Sequence, residues 1–396
     1  MPGPLSGIRV VDLTSMLSGP AATMMLGDQG ADIIKVEPPK GDQVRSMQRS
    51  DDGIPPTFYS INRSKRSIVL DLKQDSSKEV LNRLIVDADV FVQNFRPGVI
   101  ERMGFGEDAV RAIKPDIVFV SISGFGESGP YSNQRVYDPI IQALCGLADI
   151  QADRVTGRPK MVRTVIPDKT TAVTAAQAIT AALFHRERTG EGQHVRLSML
   201  DTMVAYLWPE AISGLTFMDR EIDPRRGQLG LDLVFETQDG FISAGAVSDS
   251  EWQGLCRALD RPDLIDDPRF DSASARVENT GDRRSIMSEE ILKWPRAEIL
   301  ARLKAEDVPS APILKRREIL TDPQIIENGT IVEAEYPGVG RVRQPRPAAR
   351  FDKSPSSIQC PAPRLGENTR AILAEAGYHA DDIANMIDGG IIRAAE

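Results

Sequence analysis

Along the first third of the chain, short apolar runs are separated by segments with helical spacing. Residues 8–13, 32–36, 67–70, 90–92 and 117–122 read as strands, because brief apolar runs bounded by turn formers suit strands buried on both faces. Gly19-Pro20 opens a helix with proline in its first turn, where the missing N–H costs nothing. Gly27 to Gly30 closes that helix, and further helical segments lie near 76–87 and 99–113. Strands alternating with helices predict a parallel sheet covered on both faces, with ligands at the carboxyl ends of its strands.

A longer helical pattern follows residues 161–168. Ala172, Ala176, Ile179 and Leu183 recur at spacings of four, three and four, which places them on one helix face, and Gly190 supplies a stop. Asp168 stands just ahead of this pattern. One reading makes it an N-cap, accepting from an amide two or three residues on. The other makes it an ionised carboxylate at the positive helix end, presented to a substrate as a nucleophile. Beyond Gly190, Val195, Leu197 and Met199 alternate with His194, Arg196 and Ser198, a half-buried strand in which His194 is structural.

Residues 218–226 are polar and charged and suit a connection to a second domain. Residues 233–237 and 241–244 flank Asp239-Gly240, a hairpin signal, and helical segments follow near 251–259, 279–291 and 296–305. Asp322-Pro323, Pro337-Gly338-Val339-Gly340 and residues 345–363 read as an irregular, proline-rich return path, and 365–376 as a final helix with Glu367 in its first turn. The expected organisation is a large Rossmann-like domain over 1–217, a small α+β domain over 218–315, and a segment over 316–396 that completes the large one.

A chain of 396 residues buries a sizeable core, and 48 basic against 57 acidic residues give a net charge of -9, which disfavours nucleic acid as a partner. Cys145, Cys256 and Cys360 lie far apart without metal-ligand spacing. No apolar run approaches the roughly eighteen residues of a membrane span, and no leader pattern opens the chain, so a cytoplasmic protein is expected. His185, His194 and His379 are scattered and no G-x-S-x-G occurs, so serine hydrolysis is not expected. A nicotinamide dehydrogenase is an alternative for the first strand–helix–strand unit, with Glu37 ending its second strand. However, residues 14–20 hold one glycine where that fingerprint needs three.

The passage TVIPDKTTAVTAAQAITAALFHRERTGEGQHVRLSMLD, from Thr164 to Asp201, resembles the signature of the class III CoA-transferases. This CaiB/BaiF-type family contains formyl-CoA, carnitine and succinyl-CoA-dependent transferases. Further blocks match in order over most of the chain: VVDLTSMLSGPAATMMLGDQGADIIKVE, NRSKRSIVLDLK, VFVQNFRPGVIERMGF, VYDPIIQA and LGENTRAIL. The resemblance implies an α/β fold with a Rossmann-like large domain and parallel sheet plus a smaller α+β domain. It further implies a ring-shaped subunit threaded by its partner in an interlocked homodimer.

It also implies that Asp168 carries first the acyl group and then CoA as covalent intermediates. The expected partners are an acyl-CoA donor and a carboxylic acid acceptor, with a coenzyme A thioester as substrate and no tightly bound cofactor or metal. Positions that would line the CoA site are Ser15, Met16, Leu17, Ser18, Leu70, Lys73, Asn94, Phe95, Arg102, Met103, Arg135 and Tyr137. Charged stretches such as Asn62-Arg63-Ser64-Lys65-Arg66 are ordinarily solvated surface, yet the phosphates of CoA need cations gathered from separate segments.

Three departures bear on specificity. Leu17 and Pro167 stand where formyl-CoA transferases have glutamine and glycine, and a glycine-rich loop of their smaller domain has no counterpart. An α-methylacyl-CoA racemase is a second reading, but Tyr137 stands where racemases carry a histidine before an aspartate, and a phenol is a poor base near neutral pH. In a third reading, a non-catalytic CoA-binding protein, Asp168 is only a cap.

Overall fold

The structure, a computed structural model, describes residues 3–47, 54–153, 155–220, 233–337, 339–389 and 392–394. The chain divides into two compact units, one formed by Met1–Leu207 with Gly329–Glu396 and the other by Trp208–Asn328. The second unit is wider at both ends than the 218–315 range. The polar connection over 218–226 lies, from Glu221 onward, outside the described residues.

The first unit opens with β1 (Arg9–Asp12), α1 (Ser18–Asp28), β2 (Asp32–Glu37), α2 (Pro56–Asn62), β3 (Arg66–Leu70), α3 (Asp75–Val86) and β4 (Val90–Gln93). It continues through α4 (Val99–Arg102), α5 (Glu107–Ile113), β5 (Val118–Ser123), α6 (Asp138–Leu144), α7 (Leu147–Ile150), α8 (Ile166–Thr189), β6 (His194–Ser198) and α9 (Met199–Leu207). The segment 99–113, read as one helix, is two. Gly104, at φ 92°, turns the chain between α4 and α5, a conformation that few residues other than glycine adopt.

Six strands pair in parallel in the order β3-β2-β1-β4-β5-β6. Alternate side chains feed two cores. Val11, Ile34, Phe91 and Phe119 pack with Val80, Leu84, Val110 and Ile372 on one face. Val10, Ile33, Val90, Val92, Val118 and Val120 pack against α1 and α8 on the other. Both faces are dry, so these strands read as continuous apolar runs rather than alternating ones. Phe91 and Phe119, paired in register, stack at 5.3 Å between centroids. Phe91→Ala would leave a cavity costing about 3–5 kcal/mol.

Helices α1 and α8 meet through Ala21 and Ala22 against Ala172, Ala175 and Ala176; small side chains let the two helices lie close. Gly190 ends α8 at φ 76°, its amide bonded to the Arg186 carbonyl, the left-handed stop that glycine favours.

The return segment is more ordered than its prolines suggest. β10 (Ile331–Tyr336) and β11 (Gly340–Pro345) form an antiparallel hairpin, and residues 346–368 contain no strand or helix. The helix expected over 365–376 is shorter, running as α15 (Thr369–Glu375), and it is not the last: α16 (Ala380–Asp388) follows, then β12 (Ile392–Arg393), which joins the large sheet antiparallel to β3.

In the second unit, β7 (Val234–Thr237), β8 (Gly240–Ala244) and β9 (Ser310–Pro312) make an antiparallel sheet. It packs with α10 (Asp249–Ala258), α11 (Ala273–Glu278), α12 (Thr280–Ile291) and α13 (Arg296–Ala305) around Phe235, Trp252, Phe270, Ile291 and Leu303. Ser248 and Glu251 form a capping box at α10, satisfying two of its free amides. A short α14 (Pro323–Glu327) precedes the return. Among the described residues, no helix is long and apolar enough to cross a membrane.

Candidate active site

Strand β1 has β2 on one side and β4 on the other, so the chain order reverses there. At such a switch point the loops leaving adjacent strands diverge and open a crevice at the carboxyl ends. Here those loops are 13–17 after β1 and 94–98 after β4, and they are tied to each other. The Ser15 amide donates to Asn94 Oδ1 at 3.0 Å, and Asn94 Nδ2 donates back to the Ser15 carbonyl at 2.8 Å.

The first loop rests on buried ions. Asp12 accepts from the Thr14 amide at 2.9 Å, from Thr23 Oγ1 at 2.6 Å and from Lys65 Nζ at 3.1 Å. Lys35 Nζ donates to the Thr14 carbonyl and to Asp42 Oδ2, both at 2.9 Å. Burial pushes the Asp12 carboxyl up, but the two ammonium groups and two hydroxyls outweigh it and hold Asp12 below its ordinary value. Asp42 also accepts the Met16 amide at 3.2 Å. Met16 sits at φ 70°, a left-handed conformation that costs a side chain about 1–2 kcal/mol. Gly19 follows beneath Thr14, whose Cβ would lie 2.4 Å from a Cβ added there.

This loop delivers Ser18, at the N-terminus of α1, to the first turn of α8. The Ser18 hydroxyl and amide face the Asp168 carboxylate and favour its ionised form. Asp168 is thus not an N-cap. Helix α8 begins at Ile166 with Pro167 in its first turn, and no side chain caps it at Val165. The Asp168 amide instead donates to Asp138 Oδ2 at 3.2 Å, so a buried carboxylate from α6 caps α8 from the side. Gln142 Nε2 holds Asp138 Oδ1 at 2.6 Å, while Gln142 Oε1 accepts the Val162 amide at 2.9 Å. Burial, then the neighbouring Asp138 charge, push the Asp168 carboxyl up to about 6 against the opposing influence of the Ser18 hydroxyl and amide. At neutral pH it is an ionised, basic and half-buried carboxylate.

A cavity of about 220 Å³ opens beside the two loops and gathers Met16, Asn94, Phe95, Arg135 and Tyr137, with Gln43 on its wall. A basic, half-buried carboxylate, flanking polar loops and surface cations with no ion pair among the described residues are the kinds of group that acyl transfer from an anionic carrier uses. A sequence model of CoA-transferase family III matches residues 5–369. The chain belongs to CoA-transferase family III. Human succinyl-CoA:glutarate CoA-transferase is 34% identical over 396 residues, covering 98% of this chain and 90% of the human protein. The formyl-CoA:oxalate CoA-transferase of Escherichia coli O157:H7 (strain EC4115 / EHEC) is 34% identical over 415 residues, with 98% and 99% covered. A CaiB/BaiF family protein from Brucella suis superposes with a TM-score of 0.83 at 30% identity, over 95% of this chain and all of that one. Family III enzymes are CoA-transferases, with acyl-CoA and carboxylate substrates.

Other candidate CoA-binding positions of this family III chain are placed as follows. Lys73, after β3, and Arg102, ending α4, are exposed, as are Arg96 and Arg135. Among the described residues none of these four is ion-paired. Ser15 and Leu17 are half-buried in the loop, with Leu17 packed toward the α1–α8 core. Met103 and Phe95 pack against the opposite core. Leu70 is 1% exposed within that core, so its side chain is committed to packing rather than to a ligand.

The basic run after α2 is neither solvated nor free for phosphate. Arg63 pairs with Asp28 at 2.8 Å, Lys65 with Asp12 at 3.1 Å, and Arg66 with Asp32 at 2.6 Å. Histidine placement also differs from the scattered reading. Ser121 Oγ lies 2.8 Å from His194 Nε2, and His194 Nδ1 lies 2.6 Å from Glu107 Oε2. Gln93 Nε2 donates to the same Ser121 hydroxyl at 2.9 Å. Ser121 lies within β5, where its backbone belongs to the β4–β5–β6 ladder. The row ties three strands to α5 at a cavity of about 500 Å³, a structural role for His194. Sequence spacing carried no signal for Asp42 or for Gln142, and it marked Asp138 only through its neighbour Tyr137. Their contacts to the site are made across the fold.

Proposed function

We propose that this family III protein moves CoA between two carboxylic acids through covalent intermediates on Asp168. The observation that supports this reading most is the setting of Asp168. Two helix N-termini and the Ser18 donors favour its charge, while burial and Asp138 keep it basic, which suits a carboxylate nucleophile.

One Asp168 oxygen attacks the donor thioester carbonyl, and the C–S bond breaks to release CoA thiolate and leave a mixed anhydride. The thiolate then attacks the aspartyl carbonyl, expelling the donor acid as its carboxylate and leaving an aspartyl-CoA thioester. An acceptor carboxylate attacks that thioester to give a second mixed anhydride and thiolate, and attack of the thiolate on the acceptor carbonyl regenerates Asp168. No net proton transfer is needed. Lys73, Arg102 and Arg135 are the residues we assign to the CoA phosphates, with Asn94, Phe95 and Tyr137 along the cavity wall.

The experiment is trapping with hydroxylamine. Incubated with an acyl-CoA donor, the wild-type enzyme should yield a hydroxamate on the peptide containing Asp168, and Asp168→Asn should lose transfer by about 10³-fold or more while still binding CoA. Label on another residue, or near-normal turnover of the variant, overturns the reading. We also infer a homodimer. Ile140 and Leu144 on α6, Val173 and Phe184 on α8, and Tyr206 on α9 are exposed apolar side chains of the first unit, the kind of surface that a permanent partner covers.

A further inference from the structure

The second unit holds a cavity of about 340 Å³ that none of the chemistry above uses. Phe235, Val247, Trp252, Leu255 and Met287 supply most of its wall, and Arg283 and Arg284 of α12 also line it. Arg283 is only 7% exposed. Its Nη1 is buried with no hydrogen-bond partner among the described residues, and no carboxylate among them pairs with it. Trp252 Nε1, on the same wall, is likewise buried and unpartnered.

The nearby Arg276 makes the contrast plain. It is 1% exposed but has a counter-ion, pairing with Asp249 at 2.5 Å and donating to the Phe270 carbonyl at 3.0 Å, so that only its Nε lacks a partner among the described residues. Burial, then the Arg276 charge, push Arg283 below its ordinary value. A guanidinium cannot escape this setting by losing its proton in the ordinary range, so Arg283 is a desolvated cation without a counter-ion among the described residues. Buried charges are ordinarily paired, and an unpaired one is costly, so an anionic ligand that supplied the missing charge would be favoured here.

We propose that this cavity is a binding site for a monocarboxylic acid with an apolar body. The carboxylate takes the planar fork of Arg283, which matches its two oxygens, with the Trp252 N–H as an added donor. An aliphatic or aromatic body lies against Phe235, Leu255 and Met287. The volume falls at the small end of ligand pockets, which excludes coenzyme A.

The test needs neither CoA nor Asp168, so its failure leaves the transfer mechanism standing. Melting temperature and tryptophan fluorescence are followed while hexanoate or benzoate is added, with hexan-1-ol and benzamide as neutral counterparts. The wild-type protein should show saturable stabilisation by the acids and none by the neutral molecules. Arg283→Met should bind the acids about thirtyfold or more weakly, as expected on removing one partner of a buried charge pair. Without ligand it should melt higher than wild type, because the uncompensated cation is gone. Absence of saturable binding to the wild type, equal response to acids and neutral molecules, unchanged affinity in Arg283→Met, or a lower ligand-free melting temperature of that variant would overturn the proposal.

Discussion

The amide of Asp168 donates to Asp138 Oδ2 at 3.2 Å, so the carboxylate that caps α8 also sets a second negative charge beside the Asp168 side chain. One contact orders the helix start and raises the basicity of the carboxylate. Its cost is a native state holding two like charges in a partly desolvated site.

That cost is measurable as stability. The Asp168 carboxyl is pushed up to about 6 from an ordinary 3.8. Its ionised form is therefore disfavoured by folding, and the penalty is absent below pH 4, grows between pH 4 and 6, and is complete above. Two pKa units correspond to about 3 kcal/mol as an upper bound. Asp168→Asn should melt above wild type at pH 8, and the difference should vanish near pH 4. Equal melting temperatures across that range would show that the carboxylate is not strained.

Activity should have the opposite pH sense. In the proposed mechanism transfer needs the ionised carboxylate, so kcat/KM should fall as pH drops through about 6. Asp138→Asn keeps an oxygen for the Asp168 amide but removes the charge, and its acidic limb should move to lower pH. A limb that stays in place would assign the shift to burial alone.

The buried ions beneath the loop 13–17 should be indispensable to folding. Lys65→Met strips Asp12 of a fully buried partner, and leaving such a charge unpaired costs about 3–5 kcal/mol. Urea unfolding should show that loss. The double variant Asp12→Asn, Lys65→Met should recover part of it, since no charge is then left alone. Additive losses would mean that the two side chains do not act as a pair.

Gly19→Ala tests the seating of Ser18. The added Cβ would meet Thr14 at 2.4 Å, and overpacking of this kind costs about 1–3 kcal/mol. It should displace the loop that brings Ser18 to Asp168, lowering kcat more than it raises KM for the acyl-CoA. Normal kcat in a correctly folded variant would release Ser18 from that role.

The inferred homodimer is open to light scattering at micromolar concentration and below. Val173→Glu or Phe184→Glu, placing a charge on the exposed face of α8, should shift the protein toward monomer. A wild-type protein that is monomeric and active would remove the inference.

Periodicity alone carried much of the architecture. The apolar runs gave β1 to β5 because a strand buried on both faces needs an unbroken apolar stretch. The alanine spacing of residues 172–183 marked α8, and Asp239-Gly240 marked the β7–β8 hairpin. Family membership was written in ordered local blocks, which survive reading in one dimension. The sequence misread the places where local propensity lost to tertiary context. The proline-rich return hides the β10–β11 hairpin, and two residues near the end, Ile392 and Arg393, became a strand only because the exposed edge of β3 offered them partners. The basic run at 63–66 looked like surface because its carboxylates, Asp12, Asp28 and Asp32, stand far away in the chain. For the same reason Asp168 was visible in the sequence while its setting was not. An oxygen of Asp138 thirty residues away, the Ser18 donors on α1 and the ions beneath them meet only when the sheet stacks its loops. Low dielectric and short distance, neither of which a sequence displays, are what make that aspartate basic.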